Sequence, residues 1–152
     1  MKSRRRVNST VRHLLNHMAA EIKALANIVI STASEMVGVQ LQFDKASVEW
    51  LNGYIERIRP NLDQASTEGF ANSVGAFLGE CIIANYGGVW RQSDDGTWGV
   101  FFDEKNAVFP FAKAQKQLAN GHEDSILGMY NVIPLVFNKS DDAEHIVGPE
   151  RG

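Results

Sequence analysis

At 152 residues, with 44% hydrophobic and 22% charged side chains, the chain has the size and balance of one globular domain and lies outside the low-hydrophobicity, high-charge regime of disorder. A formal net charge of −3 and a pI near 5.8 give no overall electrostatic basis for nucleic-acid binding. The single cysteine, Cys81, excludes an intramolecular disulfide and any cysteine-based zinc or iron–sulfur centre, which suits a reducing compartment.

Lys2, Arg4, Arg5 and Arg6 make residues 1–9 a flexible, basic N-terminus. Asn8, Ser9, Thr10, Arg12 and His13 then interrupt the apolar core that an export signal needs, so a cytoplasmic location is expected. From Thr10 to Val37, Leu14, Met18, Ile22, Leu25, Ile28, Val29 and Met36 recur at three- and four-residue steps, the mark of a long helix with one apolar stripe. Gly38 supplies its stop, and the β-branched cluster at Ile28–Thr32 allows a break. The most apolar stretch, Ala24 to Val39, is too short and too polar to cross a bilayer, so no membrane partner is expected.

Asp44, preceded by Phe43 and followed by Ser47, reads as the N-cap of a second helix that carries Leu51, Tyr54, Ile55 and Ile58 and stops at Pro60. A third helix, Ser66 to Tyr86, presents Phe70, Val74, Phe77, Leu78, Cys81 and Ile82 as core. Gly75 and Gly79, one turn apart on it, each cost about 1 kcal/mol against alanine and therefore mark a close approach by another backbone, from a sheet or a helix. Gly87 and Gly88 end this helix, and the pattern turns to period two. Val89 to Gln92 and Thr97 to Phe102 form a hairpin around Asp95-Gly96. Ala107 to Phe109 is a third short strand, Phe111 to Ala119 and Ile126 to Asn131 are short helices, and Val132 to Phe137 is a last strand with Pro134 at an edge. Residues 138–152 are polar and expected to be a disordered tail. The fold class is thus α+β: one domain over 10–137, N-terminal helices packed on a small antiparallel sheet, and short C-terminal helices.

Groups that could carry chemistry each have a plainer explanation. His13, His17 and Glu21 fall at four-residue steps on one helix face and could ligate a metal, but a solvated polar stripe has the same spacing and no metal is assigned. Cys81 lies among Leu78, Ile82 and Ile83 as a small core hydrophobe. His122, Glu123, Asp124 and Ser125 suggest a triad, yet neighbours on a loop seldom converge, and capping of the next helix accounts for them. Glu80 is flanked by apolar residues and needs a partner, Arg91 or a backbone N–H. With Asn85 and His122 the two would border a pocket at the junction of helix and sheet, the basis of an alternative reading as a small hydrolase or transferase. No phosphate loop, dinucleotide fingerprint or nucleophile elbow occurs, so no catalytic residue and no cofactor is assigned. The aromatics Trp90, Trp98, Phe101, Phe102, Phe109 and Phe111 cluster in and after the hairpin, where alternation sends one set away from the helices. That set is either a contact surface or covered by the last helices.

Several motifs, Gly75, Leu78-Gly79-Glu80, Tyr86-Gly87-Gly88-x-Trp90, Asp95-Gly96-x-Trp98-Gly99, Phe109-Pro110 and Asn120-Gly121-x-x-Asp124-Ser125, follow a Phe43-Asp44-x-x-Ser47-x-x-Trp50-Leu51 opening. This pattern resembles small bacterial proteins grouped as families of unknown function, comparable members of which accompany secreted toxins as immunity proteins. The resemblance implies a cytosolic protein that binds a basic toxin. Trp90, Asp94, Asp95, Trp98, Asp103 and Glu104 form the expected contact surface, where acidic turns would steer a cationic partner. The first helix, apolar on a second face around Ile28 and Ile30, offers a homodimer contact as well.

Overall fold

The computed structural model describes residues 9–137. The expected basic N-terminus with Lys2, Arg4, Arg5 and Arg6 and the expected tail at 138–152 lie outside the described residues, apart from Ser9. Among the described residues there are five α-helices and one three-stranded sheet. The helices are α1 (Ser9–Thr32), α2 (Lys45–Ile58), α3 (Gln64–Tyr86), α4 (Pro110–Asn120) and α5 (Ile126–Val136), and the strands are β1 (Val89–Gln92), β2 (Trp98–Phe101) and β3 (Ala107–Val108). The fold is α+β, as the change of period at Gly87 indicates.

Helix ends follow from local chemistry. α1 runs unbroken through the β-branched cluster and widens only afterwards, into a π turn at Ala33–Val37 closed by Gly38 at φ 72°. Asp44 caps α2 by accepting the Ser47 N–H at 2.9 Å. α3 begins two residues earlier than the apolar pattern suggests, because Asp63 accepts the Ser66 N–H at 2.7 Å. The final apolar run is not a strand: Ile126, Tyr130 and Ile133 are buried at i, i+4 and i+7, so Val132 to Val136 continues α5. Pro134 sits inside that helix, where it leaves the Tyr130 carbonyl without its helical donor.

α3 is the centre of the molecule. It packs most extensively on α4 and α1, and every residue from Val74 to Ile82 is buried, so no polar face is left to make it amphipathic. Both interior glycines serve close approaches. A Cβ on Gly75 would lie 2.7 Å from Phe111, and one on Gly79 would overlap the Trp90 indole. The sheet, in order β1-β2-β3, is antiparallel throughout, with Trp90 opposite Val100 and Val100 opposite Val108. This row faces the helices and is buried.

Two buried polar side chains, Gln117 and Asn52, and the half-buried Glu56 join α2, α4 and α5. Gln117, fully buried, accepts the Ile126 N–H at 2.8 Å and donates to Glu56 at 2.9 Å, while Asn52 accepts the Leu127 N–H at 3.4 Å. They satisfy the first free donors of α5. Replacing Gly79 by alanine should cost about 1–3 kcal/mol through overpacking against Trp90. Gly69→Ala, in the same helix with nothing within 4 Å of its Cβ position, should instead gain up to about 1 kcal/mol from helix propensity. Urea denaturation of the two variants reads the contrast.

Candidate functional site

The side chains expected around a junction pocket go to four separate places. The Glu80 carboxylate accepts the Trp90 indole N–H at 2.8 Å in the core, not the Arg91 guanidinium. Strand alternation explains the correction: Trp90 points to the helices, so Arg91 points to the other face, where it lies 4.9 Å over the Phe101 ring. Asn85 donates to the Phe43 carbonyl at 3.0 Å and to the Cys81 carbonyl at 2.9 Å, tying the start of α2 to α3. His122 is exposed on a single 3-10 turn, and Ser125 is occupied in capping α5 through the Gly128 N–H at 2.9 Å.

Cys81 is fully buried, and burial pushes its thiol far above the ordinary range, with the Asp44 and Glu80 carboxylates adding to the shift. A thiolate nucleophile is not available there. His17 contacts Glu21 at 3.1 Å on the exposed side of α1. Among the described residues no group of three metal-ligating side chains is assembled.

The expected contact surface is divided. Trp90 is core, 8% exposed, and unavailable to a partner. The outer face of the sheet covers itself: Phe109 folds over Gly99, where a Cβ would meet the ring at 2.7 Å, and stands edge-on to Phe101. On the inner side Phe102 stacks on Phe137 at 5.0 Å. Trp90 apart, each of these aromatics is half-buried and none is fully exposed. The two acidic turns sit at opposite ends of β2, separated by roughly 13 Å at about 3.3 Å per residue. Asp94 and Asp95 therefore form one acidic turn and Asp103 and Glu104 another, at the two ends of the strand.

Exposed large apolar side chains lie on β1 (Val89), on α5 (Val132, Leu135 and Val136) and on α1, which carries two strips. The inner one, Ile22, Ala26 and Ala33, is buried. The outer one, Leu14, Met18, Leu25 and Ile28, recurs at an average of about 3.5 residues, the spacing that keeps a seam facing a second helix. Leu14 is 56% exposed and Ile28 53%. Periodicity alone merges the two strips, because both fall within the apolar arc of one helix. Between the outer strip and the hairpin runs an open cleft of about 570 Å³, lined on α1 by Met18, Glu21, Leu25 and Ile28 and across from them by Trp98 and Phe111. Thr97, at the base of the Asp94-Asp95-Gly96 turn, also lines it, so the acidic hairpin tip borders an apolar floor.

That tip is rigid. The Asp95 carboxylate accepts the Ser93 hydroxyl at 2.6 Å and the Thr97 N–H at 3.0 Å, which hold its pKa down at about 2, against an ordinary value of 3.8. Asp103, lowered chiefly by the Asn106 side chain and then by the Lys105 and Asn106 N–H groups, fastens the other turn in the same way.

Two consequences can be measured. Glu80→Leu leaves the buried Trp90 N–H without an acceptor and should cost about 1–3 kcal/mol in chemical denaturation. A carboxylate with a depressed folded-state pKa contributes stability above its unfolded value and loses it as pH falls through the folded one. The Thr97 amide resonance should therefore titrate near pH 2; a midpoint near 3.8 would show that Asp95 does not hold the turn. Compared with family models, curated proteins and solved structures, the chain matches none, so its functional reading rests on this geometry and on its motifs.

Proposed function

We propose that this protein acts by binding another protein, one presenting apolar side chains within a cationic surround, through the outer strip of α1 and the cleft beside it. The observation that carries this reading is the strip itself: large apolar side chains at 3.5-residue spacing, with Leu14, Met18 and Ile28 exposed and Leu25 half-buried beside Trp98 and Phe111. Charge supports the choice of partner. Between residues 9 and 137 fourteen acidic side chains stand against nine basic ones, and Glu21 and the Asp94-Asp95 turn lie at the border of the cleft. Such a rim accelerates encounter with a basic surface and suppresses encounter with an acidic one.

The finer reading is an immunity protein that neutralises a toxin by covering its active site. Its support is the motif resemblance and the acidity of the domain, since the catalytic surfaces of nucleases and nucleotide-handling toxins are commonly basic. Cleft and rim would then divide the work, apolar burial giving residence time and acidic charge giving association rate.

Affinity capture from the native host and from the products of neighbouring genes, run in parallel with three variants, tests the surface. Ile28→Asp should reduce recovery of a basic partner at least about tenfold. Asp94→Lys should slow association and flatten its salt dependence. Leu135→Asp, on the exposed side of α5, should change neither. Equal recovery with Ile28→Asp would rule out the α1 surface.

A further inference from the structure

A second cleft, meeting the first at Ile28, has a different character. It encloses about 280 Å³, near the lower end of small-ligand sites, between the end of α1 with its π turn, α2 and the first turns of α3. Its walls are mostly aliphatic, with rings on one side: Trp50 stacks on Tyr54 at 5.0 Å and 14°, and Tyr54 meets Phe70 edge-on at 6.4 Å. The π turn sets the opposite wall. Thr32, Ala33, Met36 and Val37 all line it, and Met36, 77% exposed, is the flexible rim. π turns often occur where a helix has been reshaped for function.

Ser73 at this cleft donates to the Gly69 carbonyl at 3.3 Å, but the polar groups of the rings are unused. Neither the indole N–H of Trp50 nor the hydroxyl of Tyr54 has a hydrogen-bond partner among the described residues. Trp50, Tyr54 and Arg57 fall at i, i+4 and i+7 on α2, so Arg57 extends the same wall outward, and its guanidinium lies 5.6 Å over the Tyr54 ring. The ion pairs among the described residues are His17 with Glu21, Arg59 with Glu56 and Lys113 with Asp124. Arg57 is in none of them. An apolar pocket with a guanidinium in no ion pair lying over one of its lining rings disfavours a cation and favours an anion, whose carboxylate can take charge-assisted hydrogen bonds while the apolar part enters the pocket.

We infer that this cleft binds a small apolar monocarboxylate, its hydrocarbon part among Trp50, Tyr54 and Phe70 and its carboxylate at Arg57. The inference stands apart from the protein-binding reading, since Ile28 is the one lining residue the two clefts share and the inference survives if no protein partner exists.

The test is a titration of the ¹⁵N-labelled full chain with decanoate below its micelle concentration, read at the three tryptophan indole N–H resonances. That of Trp50 should move with saturation, while those of Trp90, bonded to Glu80, and Trp98, in the other cleft, stay in place. Arg57→Gln, a change at an exposed position that leaves the core intact, should weaken decanoate roughly tenfold, the scale of one hydrogen bond to a charged group, and leave the weaker binding of decanol unchanged. An unmoved Trp50 resonance at millimolar decanoate would overturn the inference. So would a shift at Trp98 in its place, or equal decanoate affinity in Arg57→Gln.

Discussion

Where Gly79 lies on α3, the indole of Trp90 occupies the space a side chain would need, and the carboxylate one residue further on takes the indole N–H. Glycine, glutamate and tryptophan act together here. The missing Cβ lets a strand ring press on a helix backbone, and the buried carboxylate fixes which way the ring faces. Because Trp90 is held, β1 is held, and β2 and β3 follow through the ladder. One turn earlier Gly75 admits Phe111 in the same way, which seats α4 on the same face of α3. The hairpin and α4 are therefore placed by two absent side chains.

This arrangement explains how apolar and acidic surfaces come to adjoin. A sheet with only three short strands cannot cover the flank of a 24-residue helix, about 36 Å long at about 1.5 Å per residue. α1 is consequently buried on its inner strip alone, with its first turns carrying no buried residue. The hairpin ends beside the uncovered strip, and its turn, which needs Asp and Gly for conformational reasons, brings carboxylates to the cleft without any further device. Turn chemistry and surface charge are here the same residues.

Most of the fold was legible in the sequence because its punctuation is strong. Gly38, Asp44, Pro60, Gly87 and the Asp95-Gly96 turn all act where their chemistry places them. The close approaches at Gly75 and Gly79 were legible too, since two glycines in an otherwise apolar helix require a reason. Less was visible where one pattern served two structures. Val132 to Phe137 is continuously apolar, and a short run of that kind carries no period that separates strand from helix. Glu80 was legible as a buried group needing a partner, but its partner depended on which way one strand residue faces, and the choice fell on Trp90 rather than Arg91. Gln117 went unnoticed although a signal existed: it falls on the stripe of Pro110, Ala114 and Leu118, where an apolar residue is the rule. Trp90 left the expected contact set because strand alternation turns it to the helices, where it is buried.

Cys81 shows what burial on this scale implies for the chain as a chemical object. Its sulfur is fully covered in the second half of α3, the element that every other helix touches, so a thiol reagent reaches it only when the centre of the molecule opens. The rate at which the native protein is alkylated is then a clock for global opening, kept by the chain's own single thiol and needing no introduced label. A bound partner or ligand that stabilises the domain would slow that clock in proportion to its occupancy, whichever surface it uses.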